Sequence, residues 1–284
     1  MITTKLRGGL GNQLFQYAIG QSLTRNNQAD LRLDISNLES QGERKYALDD
    51  FRIQPRAASE KELALFLSRT NKAINKIWPW PKYKIIKEKT FSFAPEIFKL
   101  SGNVYLSGYW QSWKYFSGVE KILKKELVLK EKFNTYFQKV EKKINNENSI
   151  SLHVRRGDYL TAKISNVFPV LPASYYSEAI NTIQKKEKAF SIFVFSDDID
   201  WARSNLKFDS PLFFIEGKNN GLRDSDELIL MSWCKHNIIA NSSFGWWAAW
   251  LNSNPEKTVI APKNWFQDKT INLNDLLPTT WTKI

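Results

Sequence analysis

The 284-residue sequence predicts an α/β protein built on parallel β-sheets. Short apolar runs typical of strands alternate with helical patterns, most regularly in the second half of the chain. Strands separated by helices of this length form βαβ units, in which the strands run parallel. Polar motifs follow several apolar runs, and parallel sheets bind ligands beyond the carboxyl ends of their strands. The chain is long enough for two such domains with separate cores.

The first half opens with a strand predicted over 3–7. A glycine-rich turn over 8–13 then leads into a helix that starts at Leu14. A second strand is expected over 29–35.

The middle of the chain is less regular. Helical patterns there are interrupted by Trp78-Pro79-Trp80-Pro81, which cannot lie inside a helix because proline has no amide hydrogen. The lysine- and asparagine-rich segment 141–149 is interpreted as the link between the halves. The sequence therefore predicts two domains, 1–148 and 149–284.

The second half is the most regular part of the sequence. One helix is expected after Pro172 with Ser174 as its N-cap, and another at Asp224, with Glu227 three residues later as in a capping box. The run Trp246–Leu251 is interpreted as core. The predicted strands cover 150–154, 190–195, 211–215, 237–240 and 258–261.

The segment His153–Tyr159, with the sequence HVRRGDY, follows the first of these strands. Side chains alternate along a strand, so His153 and Arg155 share a face and Arg156 points the other way. A guanidinium group binds phosphate bidentately and stays charged at any cellular pH. The motif therefore indicates a ligand that carries a diphosphate, with a solvated arginine pair as the alternative.

Composition narrows the class of partner. The net charge is +12, with lysines concentrated over 72–89 and 121–143, which favours an anionic partner: a nucleic acid, an acidic lipid surface or a phosphorylated substrate. Nucleic acid is disfavoured because many of the 11 tryptophans lie in apolar runs. With Cys234 as the single cysteine and two histidines, a structural zinc site is excluded.

The N-terminus has no basic and apolar leader, and no apolar stretch approaches the ~20 residues that span a bilayer. We therefore expect a cytoplasmic protein. Its basic surface is expected to hold it peripherally at the inner face of the membrane, where lipid-linked glycans are assembled.

Four motifs together resemble those of the α-1,2-fucosyltransferase family, glycosyltransferase family 11. They are GGLGNQLFQYA, HVRRGDY, FSDD and NSSFGWWAAWL, at 8–18, 153–159, 195–198 and 241–251. The resemblance implies a GT-B fold, in which two Rossmann-like domains face each other across a cleft. It also implies an acceptor-side N-terminal domain, a C-terminal domain that binds GDP-fucose, inversion at the anomeric carbon and no required metal or other cofactor. The expected acceptor is a galactose-terminated glycan, as in O-antigen biosynthesis.

The resemblance assigns roles in the second domain. Arg155 is expected to hold the β-phosphate of GDP, with Arg156 as the less certain partner, because a metal-free reaction needs a fixed positive charge at the departing diphosphate. The backbone amides of Ser242, Ser243 and Phe244 at a helix start are expected to assist.

The guanosine part of the donor has its own candidates. His153 is expected to contact the guanine or the ribose, or merely to pack at the strand end. One carboxylate of the FSDD motif is expected to bind guanine, and Asp197 is preferred over Asp198. The other aspartate is expected to cap the following helix.

In the first domain, Gly9 and Gly11 are expected to allow a close turn that brings Asn12 and Gln13 to the donor sugar. The resemblance makes Asn12 a catalytic-site residue; the alternative is an asparagine that caps the helix. An inverting transfer also needs a base for the attacking hydroxyl. Asp158 is the candidate, unless it orients an arginine through an ion pair.

Two other classes of protein stay open at this stage. One is a metal-dependent glycosyltransferase, because Asp198-Ile199-Asp200 and Asp224-Ser225-Asp226 both have the D-x-D pattern, although capping of helices explains both. The other is a non-catalytic protein that binds carbohydrate or nucleic acid through its basic surface and tryptophans.

Overall fold

The computed structural model describes residues 1–41, 45–68, 73, 83–130 and 134–284. The chain divides into two compact units, Met1–Lys130 and Glu131–Ile284. In each unit the named strands pair in parallel, which confirms the predicted α/β class. The Trp78-Pro79-Trp80-Pro81 segment and part of the lysine-rich stretch at 72–89 lie outside the described residues.

Within its described residues, the first unit has a five-stranded sheet with the order β3-β2-β1-β5-β4. Its strands are β1 (Ile2–Lys5), β2 (Leu31–Asp34), β3 (Arg56–Ala57), β4 (Tyr83–Lys87) and β5 (Asn103–Ser107). Its helices are α1 (Leu10–Asn27), α2 (Ser36–Gln41), α3 (Glu60–Leu67) and α4 (Glu120–Glu126).

Helix α1 begins four residues earlier than predicted, at Leu10. Gly8 has a φ of 77°, which favours glycine, and makes the turn out of β1. Gly9 is the extended N-cap, and its carbonyl accepts hydrogen bonds from the amides of Asn12 and Gln13 at 3.0 and 3.1 Å. The turn is therefore two glycines long, and Gly11 lies buried inside the helix.

The second unit has a six-stranded sheet with the order β11-β10-β9-β6-β7-β8 in the part of the chain that is described. Its strands are β6 (Ser149–Val154), β7 (Ser191–Ser196), β8 (Leu212–Ile215), β9 (His236–Ile238), β10 (Val259–Ala261) and β11 (Thr282–Lys283). Its helices are α5 (Thr135–Asn146), α6 (Ala162–Ser165), α7 (Ala173–Gln184), α8 (Ile199–Asn205), α9 (Asp224–Trp233) and α10 (Ser243–Leu251).

The segment 141–149 is not a linker, because most of it forms the end of α5. This helix is fixed within the second unit. The Phe137 and Trp233 rings lie 5.6 Å apart in an edge-to-face contact, and the Tyr136 hydroxyl accepts a hydrogen bond from the Glu216 amide at 3.2 Å. Helix α5 therefore belongs to the second unit, which begins before residue 149.

The starts of two helices differ from their predicted caps. Helix α7 begins at Ala173 after Pro172, so Ser174 lies in its first turn. Helix α9 begins at Asp224, but the carboxylate that reaches back belongs to Asp226, which accepts from the Arg223 amide at 2.9 Å. The prediction takes Asp224 as the cap, whereas the cap is Arg223. The residue whose carboxylate reaches back lies three positions after the cap, which is Asp226.

The core of the second unit lies between its sheet and helices. Trp246 and Trp247 of α10 are fully buried, which confirms that this apolar run is core. The Trp246 indole nitrogen donates to the Leu276 carbonyl at 2.8 Å. No described helix combines the length and apolar character needed to cross a membrane.

Both sheets have a topological switch point. In the first sheet β1 lies between β2 and β5, and in the second sheet β6 lies between β7 and β9. Chain connections leave to opposite sides at such a point, which opens a crevice at the carboxyl ends of the strands.

Candidate functional site

Three segments converge at the carboxyl edge of the second sheet, after β6, β7 and β9. We call this cluster the second-sheet edge. It contains the predicted residues His153, Arg155, Arg156, Asp158, Asp197, Asp198, Ser242, Ser243 and Phe244.

Arg155 is held by two carboxylates. Its Nη2 lies 2.7 Å from Oδ1 of Asp158, and its Nη1 lies 3.1 Å from Oδ2 of Asp197. The guanidinium carbon lies 5.6 Å from the centre of the Tyr159 ring. The side chain is 24% exposed, so the guanidinium is fixed in direction but still reachable from solvent.

Arg156 points elsewhere, as strand alternation predicted. Its Nε lies 3.2 Å from Oδ2 of Asp198, and its guanidinium carbon lies 4.1 Å from the centre of the Trp201 ring. Only its backbone reaches toward Arg155, because its amide donates to Oδ1 of Asp197 at 2.8 Å.

Asp197 and Asp198 have separate roles in the fold. Asp198 caps α8 by accepting from the Trp201 amide at 3.1 Å, as predicted for one of the two aspartates. Asp197 instead ties the Arg155 side chain to the Arg156 backbone. Gly157 makes this approach possible, because a Cβ at that position would lie 2.8 Å from Oδ2 of Asp197.

The predicted amide cradle is smaller than the sequence indicated. The Ser242 amide donates to the Ala240 carbonyl at 2.8 Å, and the Phe244 amide donates to the Ser242 hydroxyl at 3.3 Å. Ser242 is thus the N-cap of α10, and two of the three expected donors have partners within the loop. Ser243, at the first position of the helix, keeps its predicted place.

His153 is buried at the end of β6, with its ring 5.6 Å from that of Phe244. Burial and the nearby charge of Arg155 lower the pKa of His153 to about 3, so the imidazole is neutral. Its Nδ1 has no hydrogen-bond partner among the described residues. A Cβ at Gly245 would lie 2.7 Å from this Nδ1, so the atom faces the first turn of α10 and is closed to solvent.

Tyr159 and Asn241 join the two halves of this edge, and neither is among the candidate residues selected from the sequence. The Tyr159 hydroxyl donates to the Asn241 carbonyl at 2.8 Å. The Asn241 side-chain amide donates to the carbonyls of Pro169 and Trp265 at 2.9 and 3.1 Å. Each residue is the end residue of a motif, but a hydrogen bond between positions 82 apart leaves no local pattern.

The first-unit candidates lie at the carboxyl edge of their own sheet, which we call the first-sheet edge. Asn12 is in the first turn of α1 and accepts from Nε2 of Gln111 through Oδ1 at 2.7 Å. The alternative that Asn12 caps α1 is wrong. Gly9 is the N-cap of this helix, and no side-chain hydrogen bond caps it.

Gln13 is buried, and its amide is engaged within the first unit. Its Nε2 donates to the carbonyls of Gly8 and Lys45 at 3.0 and 2.9 Å, and its Oε1 accepts from the Ala47 amide at 3.0 Å. These contacts show that Gln13 stabilises the turn after β1. We therefore assign it a structural role and not a contact with the donor sugar.

The two D-x-D elements have structural contacts. Asp198 caps α8 and pairs with Arg156, and Asp226 pairs with Arg223 at 2.8 Å. Across the described residues, no group of three His, Cys, Asp or Glu side chains is arranged as a metal site would require.

Known proteins resemble this chain over its whole length. The family model described as Glycosyl transferase family 11 matches residues 1–284. The alpha-1,2-colitosyltransferase of Escherichia coli is 32% identical, over 100% of this chain and 99% of its own. The O-antigen biosynthesis glycosyltransferase WbnK of Escherichia coli is 30% identical, over 98% and 99%.

Among solved structures, the fucosyltransferase NodZ from Bradyrhizobium superposes with a TM-score of 0.52. The identity is 14%, over 87% of this chain and 91% of NodZ. NodZ has also been solved after soaking with GDP-fucose. At this identity the likeness concerns the fold, and it confirms the predicted GT-B type, with a parallel sheet in each unit.

Proposed function

The chain belongs to glycosyl transferase family 11, and we propose from this premise that it transfers L-fucose from GDP-β-L-fucose to O2 of a terminal galactose. The transfer would invert the anomeric carbon and give an α-linkage. The observation that carries the proposal is Arg155, a guanidinium held by two carboxylates at the switch point of the second sheet.

In this reaction the bond between C1 of fucose and the β-phosphate oxygen breaks, and negative charge develops on GDP. A fixed cation that is already oriented stabilises this charge without reorganisation. Arg155 meets this requirement because Asp158 and Asp197 hold it in place. The amide of Ser243, at the start of α10, is proposed as a second donor.

We assign the donor nucleoside to the neighbouring residues. For His153 the packing alternative is favoured, because its neutral ring is buried and its Nδ1 is enclosed against Gly245. Asp197 is proposed to accept hydrogen bonds from guanine, and the cap Asp198 is not. Asp158 forms an ion pair with Arg155, which favours a role in orienting Arg155 over a role as the catalytic base.

Asn12 is proposed to contact the reacting sugars from the first unit. Its Oδ1 accepts from Gln111, which orients the amide, and its Nδ2 lies beside Gly8 in the turn after β1. Such an amide can position a hydroxyl, but it is too weak a base to remove the proton, so the base itself is not assigned.

A second donor is favoured by one observation, the 32% identity to an alpha-1,2-colitosyltransferase. Colitose is fucose without its 3-hydroxyl, so the two donors differ by one polar group. A pocket built to hydrogen-bond that hydroxyl discriminates strongly against the deoxy sugar, whereas an apolar pocket does not.

The experiment is a donor screen that follows GDP release with lactose as acceptor, in the presence of EDTA. We expect turnover of GDP-fucose that exceeds that of GDP-colitose and persists in EDTA. Turnover that requires a divalent cation would favour the D-x-D alternative. Binding of sugar or oligonucleotide without release of GDP would favour a non-catalytic protein.

The cellular setting is a further part of the proposal. One relative acts in O-antigen biosynthesis. We propose that the acceptor is a lipid-linked glycan at the inner face of the membrane, and that the net charge of +12 attracts the anionic lipid surface. Sedimentation with anionic vesicles should weaken as salt rises, and association that is indifferent to salt would contradict this.

A further inference from the structure

We propose that the first-sheet edge is the subsite for the acceptor sugar, with Tyr109 and Gln111 as its specificity-determining residues and Glu88 as a positioning residue. This inference rests on the proposed function, because it concerns the second substrate of that transfer. The segment 108–112 that forms this subsite carries none of the motifs on which the family resemblance rests.

The location is the first reason. The turn after β1 and the turn after β5 lie on neighbouring strands at the switch point of the first sheet. Parallel sheets bind ligands in this crevice. The charged cluster around Arg155 lies at the switch point of the second sheet. The equivalent position in the first sheet carries side chains of different chemistry.

The turn after β5 has an unusual backbone. Trp110 has a φ of 57° and is 3% exposed. Large side chains rarely adopt this left-handed region, and residues that do so cluster at ligand sites, where the surroundings enforce them. Glu88 enforces it here: its Oε2 accepts from the Tyr109 amide at 2.6 Å and its Oε1 from the Trp110 amide at 2.9 Å.

Two glutamines tie the turns of β1 and β5 together. Gln16 of α1 accepts from the Arg7 amide at 3.0 Å and donates to the Gly108 carbonyl at 3.1 Å. Gln111 donates to Oδ1 of Asn12 at 2.7 Å. Asn12 and Gln111 are both half-buried, so their planar amides are oriented and still accessible.

The same place holds donors that lack acceptors. The guanidinium carbon of Arg7 lies 4.1 Å from the centre of the Tyr109 ring. Nε of Arg7 and Nε1 of Trp110 have no hydrogen-bond partner in the described part of the chain, but both atoms are enclosed. The groups that a hydroxyl-rich ligand can contact here are the half-buried side chains of Arg7, Tyr109, Asn12 and Gln111.

The chemistry selects a neutral sugar over a second phosphate. Oriented amides and an aromatic ring are the groups that hold a pyranose, through its hydroxyls and its C–H face. The charge of Arg7 is opposed by the nearby carboxylate of Glu88. The edge therefore offers hydrogen bonds without excess charge, which fits a terminal galactoside.

The test compares Gln111→Ala with Gln184→Ala, a control at an exposed glutamine of α7 in the other unit. We measure the KM for lactose, the KM for GDP-fucose and hydrolysis of GDP-fucose without acceptor. Gln111→Ala should raise the KM for lactose about tenfold, as expected for one lost hydrogen bond. The donor KM should stay within about twofold of the wild-type value, and the hydrolysis rate reports how much the loss of Gln111 disturbs Asn12, which it orients.

Glu88→Gln and Tyr109→Ala extend the test to the other two residues. Glu88→Gln should raise the KM for lactose because one backbone amide loses its acceptor, and Tyr109→Ala should do so by removing the ring. A rise in the donor KM with an unchanged lactose KM would overturn the proposal, since this edge would then serve the donor. An unchanged lactose KM in all three variants would overturn it as well.

Saturation-transfer NMR with lactose and GDP separates this proposal from that of the transfer itself. Wild-type protein should bind lactose, and Gln111→Ala should lose that signal while the GDP signal remains. Such a result supports the subsite even if no GDP-fucose is consumed, in which case only the proposed function fails. Wild-type protein that gives no lactose signal would overturn the subsite.

Discussion

The two sheet edges share a topology and differ in chemistry. At the second-sheet edge, Arg155 and Arg156 form ion pairs with the aspartates that follow β7 and with Asp158 of their own turn. At the first-sheet edge, the amides of Gln16, Gln111 and Asn12 and the ring of Tyr109 replace those charges. One switch point is thus suited to an anion and the other to a neutral polyol. The comparison indicates that a two-substrate enzyme can be built by repeating one fold and changing its edge residues.

The strongest way to break this comparison is Arg155→Ala. It should lower kcat for GDP release by about 10²–10³-fold, as for removal of a group that stabilises a developing negative charge. Arg155→Lys should recover part of the loss, because it restores the charge without the planar fork. The control is Arg203→Ala, which removes an arginine that pairs with Glu216 on the same unit. Equal activity in Arg155→Ala and Arg203→Ala would show that the second-sheet edge does not stabilise the negative charge on the departing GDP.

A smaller effect concerns the buried imidazole. The pKa of His153 is about 3 in the folded protein and about 6.5 in the unfolded chain. Between these values the unfolded chain binds a proton that the folded protein does not. The unfolding free energy is therefore unaffected above about pH 6.5 and falls below it, by up to roughly 1.4 kcal/mol per pH unit.

Urea unfolding at about pH 7 and pH 5 measures this slope in wild-type protein and His153→Asn. The variant should lose much of the pH dependence. His236→Asn is the matched control, because the charge of Glu187 opposes the effect of burial on the pKa of His236. A slope that survives in His153→Asn and disappears in His236→Asn would contradict the assignment.

The hydrogen bond between Tyr159 and Asn241 gives a third prediction. Tyr159→Phe should lower the unfolding free energy by about 1 kcal/mol, because it leaves a buried carbonyl without its donor. It should also weaken GDP binding, since the Arg155 turn and the α10 loop lose their connection. Tyr175→Phe is the control, because its hydroxyl donates to another backbone carbonyl, that of Ile239, at 2.7 Å. If the two variants bind GDP equally, Tyr159 has no positioning role.

The smallest expected effect separates the two aspartates of the FSDD motif. Asp198→Ala should cost about 1 kcal/mol of stability through the lost helix cap and leave GDP affinity nearly unchanged. Asp197→Ala should weaken GDP binding more strongly, because it releases Arg155 and removes the proposed guanine acceptor. Calorimetric titration with GDP checks both variants. The reverse order of affinities would exchange the roles of Asp197 and Asp198.

The residues that lie together at the second-sheet edge could be selected from the sequence because their pattern is local. Charged residues such as Arg155 and Asp197 stand out directly after apolar strands, and the strand period separates Arg155 from Arg156. The bounds of β6, β7 and β8 follow the apolar runs closely for the same reason.

The first-sheet edge was largely missed because its contacts are distant in sequence. Gln111 and Asn12 are 99 residues apart, and glutamine and tyrosine are common on any surface. The left-handed backbone conformation of Trp110 depends on the Glu88 carboxylate, which is distant in sequence. Local propensities therefore do not predict it. The early start of α1 was missed because Leu10-Gly11 reads as turn, whereas Gly9 already caps the helix.

The most direct test of the central claim is a structure of the protein with GDP bound, prepared in EDTA. The account predicts that the β-phosphate lies within hydrogen-bond distance of the Arg155 guanidinium, beside the loop that begins α10, and that lactose added to the same crystals occupies the first-sheet edge. A pyrophosphate bound away from Arg155, or at the first-sheet edge beside Tyr109, would contradict it.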